Sequence, residues 1–350
     1  MTHAAQAANA EQNAGLTSSA GAPNSPNGHV GQLALDQVAP AAHRIVENIE
    51  RVIAGKYEVI RLGVTVLLAE GHLLIEDVPG VGKTTFAKAL ARSIDCSVRR
   101  LQFTPDLLPS DVTGVSIYNA ESTDFEFKPG PVFANIVLGD EINRASPKTQ
   151  AALLECMAER QVTVDGTRYQ LQSPFLVLAT QNPVEMEGTY ALPEAQRDRF
   201  TAKLSLGYPD RMAEIAMLSD QTTSDPLETL QPVSDAGQIR ALIEAVRRVH
   251  VVDSVKNYVV ALAEATRDHP ELRLGASPRA SLHLLRTAKA AAAMAGRDYV
   301  VPDDVQQLAV PVLAHRLIPA AAATVAGRSP EDLTAEVVAK VPIPAASQRA

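Results

Sequence analysis

The sequence predicts an α/β fold in which a parallel sheet is flanked by helices and followed by a smaller domain made of helices alone. From Gly71 to about Gly207, short apolar runs rich in β-branched residues alternate with helical patterns, as a parallel sheet with helical crossovers requires. A glycine-rich turn lies between the first apolar run and a helical pattern. After Pro209 only helical patterns remain, separated by Pro, Asp and Gly.

Four runs are predicted to be strands of the sheet because they are nearly continuous in apolar residues, as strands covered on both faces are. They span residues 73–76, 98–103, 136–139 and 175–180. Two hairpins are predicted to interrupt the sheet, at 114–127 and at 161–171. Asp165-Gly166 forms the turn of the second hairpin, since both positions of such a turn tolerate positive φ.

Helices are predicted at 38–54 and 57–70 before the sheet, and at 210–220, 236–249, 253–267, 277–295 and 302–316 after it. Asp235, Asp253 and Ser277 are the predicted N-caps. The domains are a disordered N-terminal tail at 1–32, which lacks apolar surface to offset ordering, an α/β core at 33–207, a helical domain at 208–325 and a Pro- and Ala-rich, loosely held C-terminal segment at 326–350.

Composition limits the kind of partner this chain has. The formal net charge of its 350 residues is −8, and this argues against a general nucleic-acid surface, which is basic. No apolar run of about 18 residues predicts a membrane span, and the start lacks the basic and apolar blocks of a secretory signal. We therefore expect a cytoplasmic protein without membrane insertion. Cys96 and Cys156 lack metal-ligand spacing and are predicted to be free thiols.

The most informative segment is a glycine-rich turn after the first strand, Asp77-Val78-Pro79-Gly80-Val81-Gly82-Lys83-Thr84-Thr85. A turn between a strand and a helix start is the setting of a phosphate-binding loop, where backbone N–H groups and the helix N-terminus bind an anion. Lys83 is predicted to reach the terminal phosphates and Thr84 to bind Mg²⁺. The pattern G-x-x-x-x-G-K-[ST] has Asp77 in place of its first glycine. A chance turn between strand and helix is the alternative interpretation.

Two carboxylates, Asp140 and Glu141, follow the predicted strand at 136–139. In a nucleotide hydrolase, Asp140 would hold Mg²⁺ through water, and Glu141 would orient and deprotonate the attacking water. Asn182 follows the strand at 175–180 and could hydrogen-bond that water or the γ-phosphate. The alternative interpretations are solvated acids and an ordinary Asn-Pro turn.

Two arginines are candidates to stabilise charge on a transferred phosphoryl group, Arg199 and Arg279. Arg279 lies in the predicted first turn of a helix, where the helix dipole disfavours a cation, so a ligand is indicated. The alternative for Arg199 is a helix-surface arginine paired with Asp198 or Glu194.

These motifs together resemble those of AAA+ ATPases, with 77–84 as Walker A, 136–141 as Walker B, Asn182 as sensor 1, Arg199 as arginine finger and Arg279 as sensor 2. Within that class the chain is similar to the MoxR family across residues 33–320. The similar segments are QFTPDLLPSDVTG (102–114), GPVFAN (130–135), DEINRASPKTQAALLE (140–155), ATQNP (179–183) and EGTY (187–190).

The resemblance implies ATP and Mg²⁺ as cofactors, hydrolysis coupled to remodelling of a protein client, and a homo-oligomeric ring, usually hexameric. It places the nucleotide between the core and the helical domain, with Arg199 acting on a neighbour's ATP and Arg197 as the competing candidate. The hairpins would face the pore and meet a partner at Ile117, Tyr118, Phe125 and Asp165-Gly166. Partners of this family often carry a von Willebrand factor A-type domain. A nucleotide-binding scaffold without turnover and, less favoured by the charge, a nucleic-acid translocase are the alternative functions.

Overall fold

The computed structural model describes residues 35–121, 123–182, 190–209, 211–212, 214–215 and 226–344. The predicted tail at 1–32 and most of the predicted helix at 210–220 lie outside these residues. Positions 183 and 187–189 of the family-like segments lie outside them as well. Among the described helices, none combines the length and the apolar character needed to cross a membrane.

The strands form one central sheet and three small two-stranded sheets. Their bounds are β1 Leu73–Glu76, β2 Val98–Gln102, β3 Gly114–Asn119, β4 Asp124–Pro129, β5 Ile136–Asp140, β6 Gln161–Val164, β7 Thr167–Gln170, β8 Leu176–Gln181, β9 Ala202–Leu204, β10 Leu272–Leu274 and β11 Ile318–Pro319. The central sheet has the order β2-β5-β8-β1-β9, and every pairing in it is parallel. This confirms the predicted fold class and adds β9, which the sequence pattern did not reveal.

The helices lie on the faces of the sheet and in a separate C-terminal layer. Their bounds are α1 Val38–Glu50, α2 Tyr57–Leu68, α3 Lys83–Ser93, α4 Pro109–Thr113, α5 Pro147–Glu159, α6 Glu194–Arg197, α7 Pro226–Thr229, α8 Ala236–Arg247, α9 Asp253–Arg267, α10 Pro278–Met294, α11 Pro302–Leu313, α12 Ala321–Val325 and α13 Pro330–Lys340. We call α8–α13 the helical domain.

Alternate residues of the buried strands pack into two different cores. Leu73 and Ile75 of β1 face a core shared with α1, α2, α3 and the helical domain, whereas Leu74 faces a second core with α5. Helix α10 packs against α1 and α2, and α11 packs against β9. The helical domain is therefore fixed along one side of the sheet rather than at its end.

Two of the three predicted N-caps are confirmed. The Asp235 side chain accepts from the Gln238 N–H, and the Ser277 hydroxyl accepts from the Ala280 N–H. The prediction for Asp253 is wrong, because Asp253 is the first residue of α9 and Val252 occupies the cap position without a side-chain bond.

The C-terminal segment contains a helix that the Pro- and Ala-rich composition concealed. Ser329 and Asp332 form a reciprocal capping box at the start of α13, and Pro330 occupies its first turn. Leu333 and Val337 are buried against the rest of the helical domain. At least residues 330–340 of this segment are therefore packed, contrary to the expectation of a loosely held end.

Both predicted hairpins are present, as β3–β4 and β6–β7. Their bases touch, because the Phe127 ring of β4 stacks on the Tyr169 ring of β7 with centroids 4.1 Å apart, and Phe133 packs edge-on against Phe127 at 5.4 Å. The tip of the first hairpin is apolar and exposed, with Phe125 at 68% exposure packed edge-on against Tyr118 at 54%.

Candidate active site

The segment between β1 and α3 has the backbone conformation of a phosphate-binding loop. Gly80 and Gly82 have φ of +85° and +96°, a region that favours glycine. The first backbone hydrogen bond into α3 runs from the Phe86 N–H to the Gly82 carbonyl at 2.8 Å. The N–H groups of Lys83, Thr84 and Thr85 are therefore the free donors of a helix start, which suit an anion.

The Lys83 ammonium group lies over this loop. It donates to the carbonyl oxygens of Asp77 at 2.9 Å and Val78 at 3.3 Å. Backbone carbonyls are weaker partners for an ammonium group than a phosphate oxygen, since hydrogen bonds between ionised groups are the stronger ones. The residues of the loop therefore fit a polyphosphate.

Asp77, the departure from the glycine pattern, anchors the loop to the strand beside it. Its Oδ1 accepts from the Ser205 hydroxyl at 2.7 Å and the Gly207 N–H at 3.2 Å, and its Oδ2 accepts from the Leu206 N–H at 2.6 Å. These donors follow β9, which pairs with β1. Where the usual pattern has a conformationally free glycine, this chain therefore has an aspartate fixed by three hydrogen bonds.

Asp140 and Glu141 lie at the same edge of the sheet as the loop, because parallel strands end together there. The Thr180 hydroxyl links the two residues, since it donates to Asp140 Oδ1 at 2.6 Å and accepts from the Glu141 N–H at 2.9 Å. Glu141 has φ 57° and ψ 50°, a strained conformation for a residue with a side chain. Asn182 directly follows β8 at this edge and is buried.

Both carboxylates are held by polar residues that the sequence pattern did not single out. Glu141 Oε2 accepts from Gln102 Nε2 at 2.8 Å and Arg144 Nη1 at 3.0 Å. Asp140 Oδ2 pairs with Arg100 at 2.7 Å. The expectation that the run at 98–103 is apolar and covered on both faces is wrong, because β2 is an edge strand with Arg100 and Gln102 exposed. Their polar alternation was the available signal, since β2 pairs with β5 and so places both beside the carboxylates.

The oxygen atoms at this edge fit a magnesium ion. Mg²⁺ prefers oxygen ligands and is usually held by one or two carboxylates or hydroxyls together with substrate phosphates. The Thr84 hydroxyl at the helix start is a candidate ligand, and the Asp140 carboxylate at the strand end is the group predicted from the sequence to hold the ion through water. Arg100 would have to release Asp140 for direct coordination.

Arg199 and Arg279 lie at the other end of the sheet. Arg199 precedes β9 and donates to the Leu154 carbonyl at 2.7 Å. Both arginines line a cavity of about 730 Å³ together with His72, which precedes β1. The phosphate-binding loop follows β1, so the strand separates the two groups. A nucleotide held between the core and the helical domain of one subunit would require Arg279 near the loop of that subunit. The structure does not place it there.

Arg197, the competing candidate, has a different environment. Its Nε is buried without a hydrogen-bond partner among the described residues. The Arg199 guanidinium instead lines the open cavity, as does Arg279, whose Nη1 lies 3.9 Å from Asp198 Oδ2. Both Arg197 and Arg199 are half-buried, and of the two it is Arg199 that lines this cavity.

Two histidines that line this cavity, the buried His72 and the half-buried His283, are neutral at pH 7. His72 Nδ1 accepts from the Val177 N–H at 3.0 Å while Nε2 lies 3.2 Å from the Met157 carbonyl, which fixes the proton on Nε2. Burial lowers the pKa of His72 to about 4. Burial and the nearby Arg316 lower the pKa of His283 to about 3.

Two segments of this chain match known protein families. Residues 72–202 match the ATPase family associated with various cellular activities (AAA), and residues 264–337 match the AAA lid domain. The fold and these matches make the chain a nucleotide-binding protein of the AAA+ type, with the helical domain as its lid.

Relatives identify the family within that class. The chain is 38% identical over 349 residues to "Chaperone MoxR1" of Mycobacterium tuberculosis, covering 94% of this chain and 92% of the relative. It is 52% identical over 309 residues to YeaC of Bacillus subtilis, covering 88% and 97%. The crystal structure of a proposed ATPase from Cytophaga hutchinsonii superposes with a TM-score of 0.82 at 38% identity, over 88% of this chain and 96% of that chain. The chain therefore belongs to the MoxR family of AAA+ ATPases.

Proposed function

We propose that this chain hydrolyses ATP with Mg²⁺ in a ring of identical subunits, hexameric as the resemblance implies, and couples hydrolysis to the remodelling of a protein client. The observation that carries the proposal is the convergence of Lys83, the Asp140–Glu141 pair and Asn182 at one edge of the sheet. A chaperone role is supported by the name of the mycobacterial relative.

The residues of the site would act in sequence on bound ATP. The loop amides and Lys83 would bind the phosphates. Thr84 and Asp140 would hold Mg²⁺, which when bound would supply positive charge against the phosphate oxygens. Glu141 orients the attacking water and accepts its proton, which requires its carboxylate to turn away from Gln102 and Arg144. Asn182 hydrogen-bonds the water or the γ-phosphate.

The arginines would complete the site of a neighbouring subunit. Arg199 and Arg279 share one cavity at the end of the sheet opposite the loop of their own subunit. A neighbour that presents its nucleotide to this end would place both guanidinium groups against the developing phosphoryl charge, where such groups accelerate the reaction most. This arrangement supports a ring in which each site is shared.

The exposed tip of the first hairpin is the proposed contact with a client or partner. Ile117, Tyr118 and Phe125 are at least half exposed, and aromatic side chains are enriched where proteins meet. We also propose that the partner carries a von Willebrand factor A-type domain, and this rests on the family resemblance alone.

Three variants test the proposed hydrolysis. Lys83→Ala is expected to lose nucleotide binding, whereas Glu141→Gln is expected to bind ATP and release no phosphate. Wild-type phosphate release by Glu141→Gln would contradict the role of Glu141. Mixing Arg199→Ala subunits with Glu141→Gln subunits is expected to restore activity, because some interfaces then combine an intact Glu141 with an intact Arg199. Absence of rescue in confirmed rings would contradict the shared site.

A further inference from the structure

We propose that Arg316 is a positioning residue that holds Arg199 and Arg279 in one arrangement, so that the helical domain sets the geometry of the arginine side of the shared site. The inference rests on the proposed role of these arginines in hydrolysis. It is argued from the contacts of two side chains, those of Arg316 in the turn after α11 and of Asp198 in the core.

The Arg316 guanidinium binds the backbone on both sides of Arg199. It is only 3% exposed. Its Nη2 donates to the carbonyl oxygens of Asp198 at 3.4 Å and of Phe200, and its Nη1 donates to the Thr201 carbonyl at 3.3 Å. The peptide that carries Arg199 is therefore held before and after that residue by one side chain of the helical domain.

Asp198 connects the same guanidinium to the start of α10. Its Oδ1 accepts from Arg316 Nε at 3.0 Å and from the Ser277 hydroxyl at 2.7 Å, and its Oδ2 lies 3.9 Å from Arg279 Nη1. Ser277 is also the N-cap of α10, where Arg279 lies in the first turn. A shift of Asp198 would therefore change the position of Arg279 as well as that of Arg199.

The chemistry of this cluster requires an arginine. A guanidinium group has five N–H donors in a planar fork, whereas an ammonium group has three on one atom. Arg316 donates to the Asp198 carboxylate, to four backbone carbonyls and to His283 Nδ1 at 2.7 Å. The four carbonyls are those of Asp198, Phe200, Thr201 and Val312. A lysine could keep the charge near Asp198 but could not span these acceptors.

Because the charged Arg316 guanidinium is buried, stabilisation of the fold alone does not explain why it is there. Buried ion pairs are often no more stabilising than apolar residues of similar volume, because both ions lose water. Burial lowers the pKa of Arg316 to about 10, so the group still carries its charge at neutral pH. What the charge adds is a defined geometry for the residues that it contacts.

The test compares Arg316→Lys with Arg199→Ala and with a control, Arg297→Lys. Arg297 makes a two-bond ion pair with Asp304 in the helical domain, and neither residue lines the arginine cavity. We expect Arg316→Lys to lower kcat about 10- to 100-fold, as displacement of a catalytic group by about 1 Å does, with nucleotide affinity unchanged. Arg297→Lys is expected to keep wild-type kcat.

Mixed rings separate positioning from general damage. An Arg316→Lys subunit keeps its own loop and Glu141, so mixing it with Glu141→Gln subunits is expected to restore activity, as for Arg199→Ala. Wild-type kcat in folded Arg316→Lys would overturn the inference. So would a loss of activity in Arg316→Lys that Glu141→Gln subunits do not restore while they do restore Arg199→Ala. If Arg316→Lys does not fold, Asp198→Asn is expected to give the same pattern, and wild-type kcat in that variant overturns the inference. Wild-type kcat in Arg199→Ala would instead contradict the proposed function.

Discussion

Asp77→Asn is expected to destabilise the protein and weaken its phosphate-binding loop. The Asp77 carboxylate is buried and accepts three hydrogen bonds on its two oxygens. Asparagine has one oxygen. If it takes the position of Oδ1, it can keep the bonds from Ser205 and Gly207, but its NH₂ group then faces the Leu206 N–H, which donates to Oδ2 at 2.6 Å in the wild type.

The magnitude follows from this donor–donor contact. Leu206 is buried, so its N–H loses a partner without gaining water. An unsatisfied buried donor costs about 1–3 kcal/mol, and a bond to a charged acceptor contributes about 1.5–3 kcal/mol. We therefore expect the free energy of unfolding to fall by about 2–3 kcal/mol.

Urea denaturation followed by circular dichroism measures this loss, and titration with a fluorescent ATP analogue measures the affinity of the loop. Ser205→Ala is the matched control, since it removes one of the three bonds and should cost about 1 kcal/mol. A free energy of unfolding for Asp77→Asn within about 0.5 kcal/mol of the wild type, the range of an unremarkable surface substitution, would refute the anchoring role of Asp77.

Three other predictions concern buried or restrained groups. Because the folded-state pKa of His72 is about 4 and its ordinary value is 6.5, the unfolded chain binds a proton between these values that the folded chain does not. The contribution of His72 to the free energy of unfolding should therefore fall on acidification through this window by up to about 1.4 kcal/mol per pH unit. Urea denaturation of His72→Asn between pH 7 and 5 should show a flatter dependence of the free energy of unfolding on pH. Gln102→Ala removes a donor from Glu141 and should raise the basal rate of phosphate release; an unchanged or lower rate would contradict a restraining role. Burial raises the pKa of Cys96 to about 11 and of Cys156 to about 12, so both thiols should react with a thiol reagent slowly at neutral pH and rapidly after unfolding.

The sequence was sufficient for features that depend on local patterns. The apolar run at 73–76 is β1 with the predicted bounds, and Asp165-Gly166 forms the turn between β6 and β7. The edge that collects Lys83, Asp140 and Asn182 was also predictable, since parallel strands necessarily end at the same edge of a sheet.

Features that depend on distant packing were not predictable. Strand β9 has three residues and carries Lys203, which has no apolar signal but pairs with Glu76 at 2.9 Å and with Glu331 of α13 at 2.7 Å. The position of Arg279 depends on how α10 packs against α1 and α2, and no local pattern encodes that contact. The partners of Asp77 are likewise about 130 residues away in the chain.

The aromatic contact between the hairpins restricts how this protein can evolve. Phe127 and Phe133 lie close together in the chain, whereas Tyr169 lies about 40 residues further on, yet the three rings meet. A change of ring size at one position requires compensation at another, so these sites should co-vary among homologues. Among the described residues, no ring contact joins the exposed tip at Tyr118 and Phe125 to the second hairpin. The tip, which is the proposed contact with a client, could therefore change while the base of the hairpins stays the same.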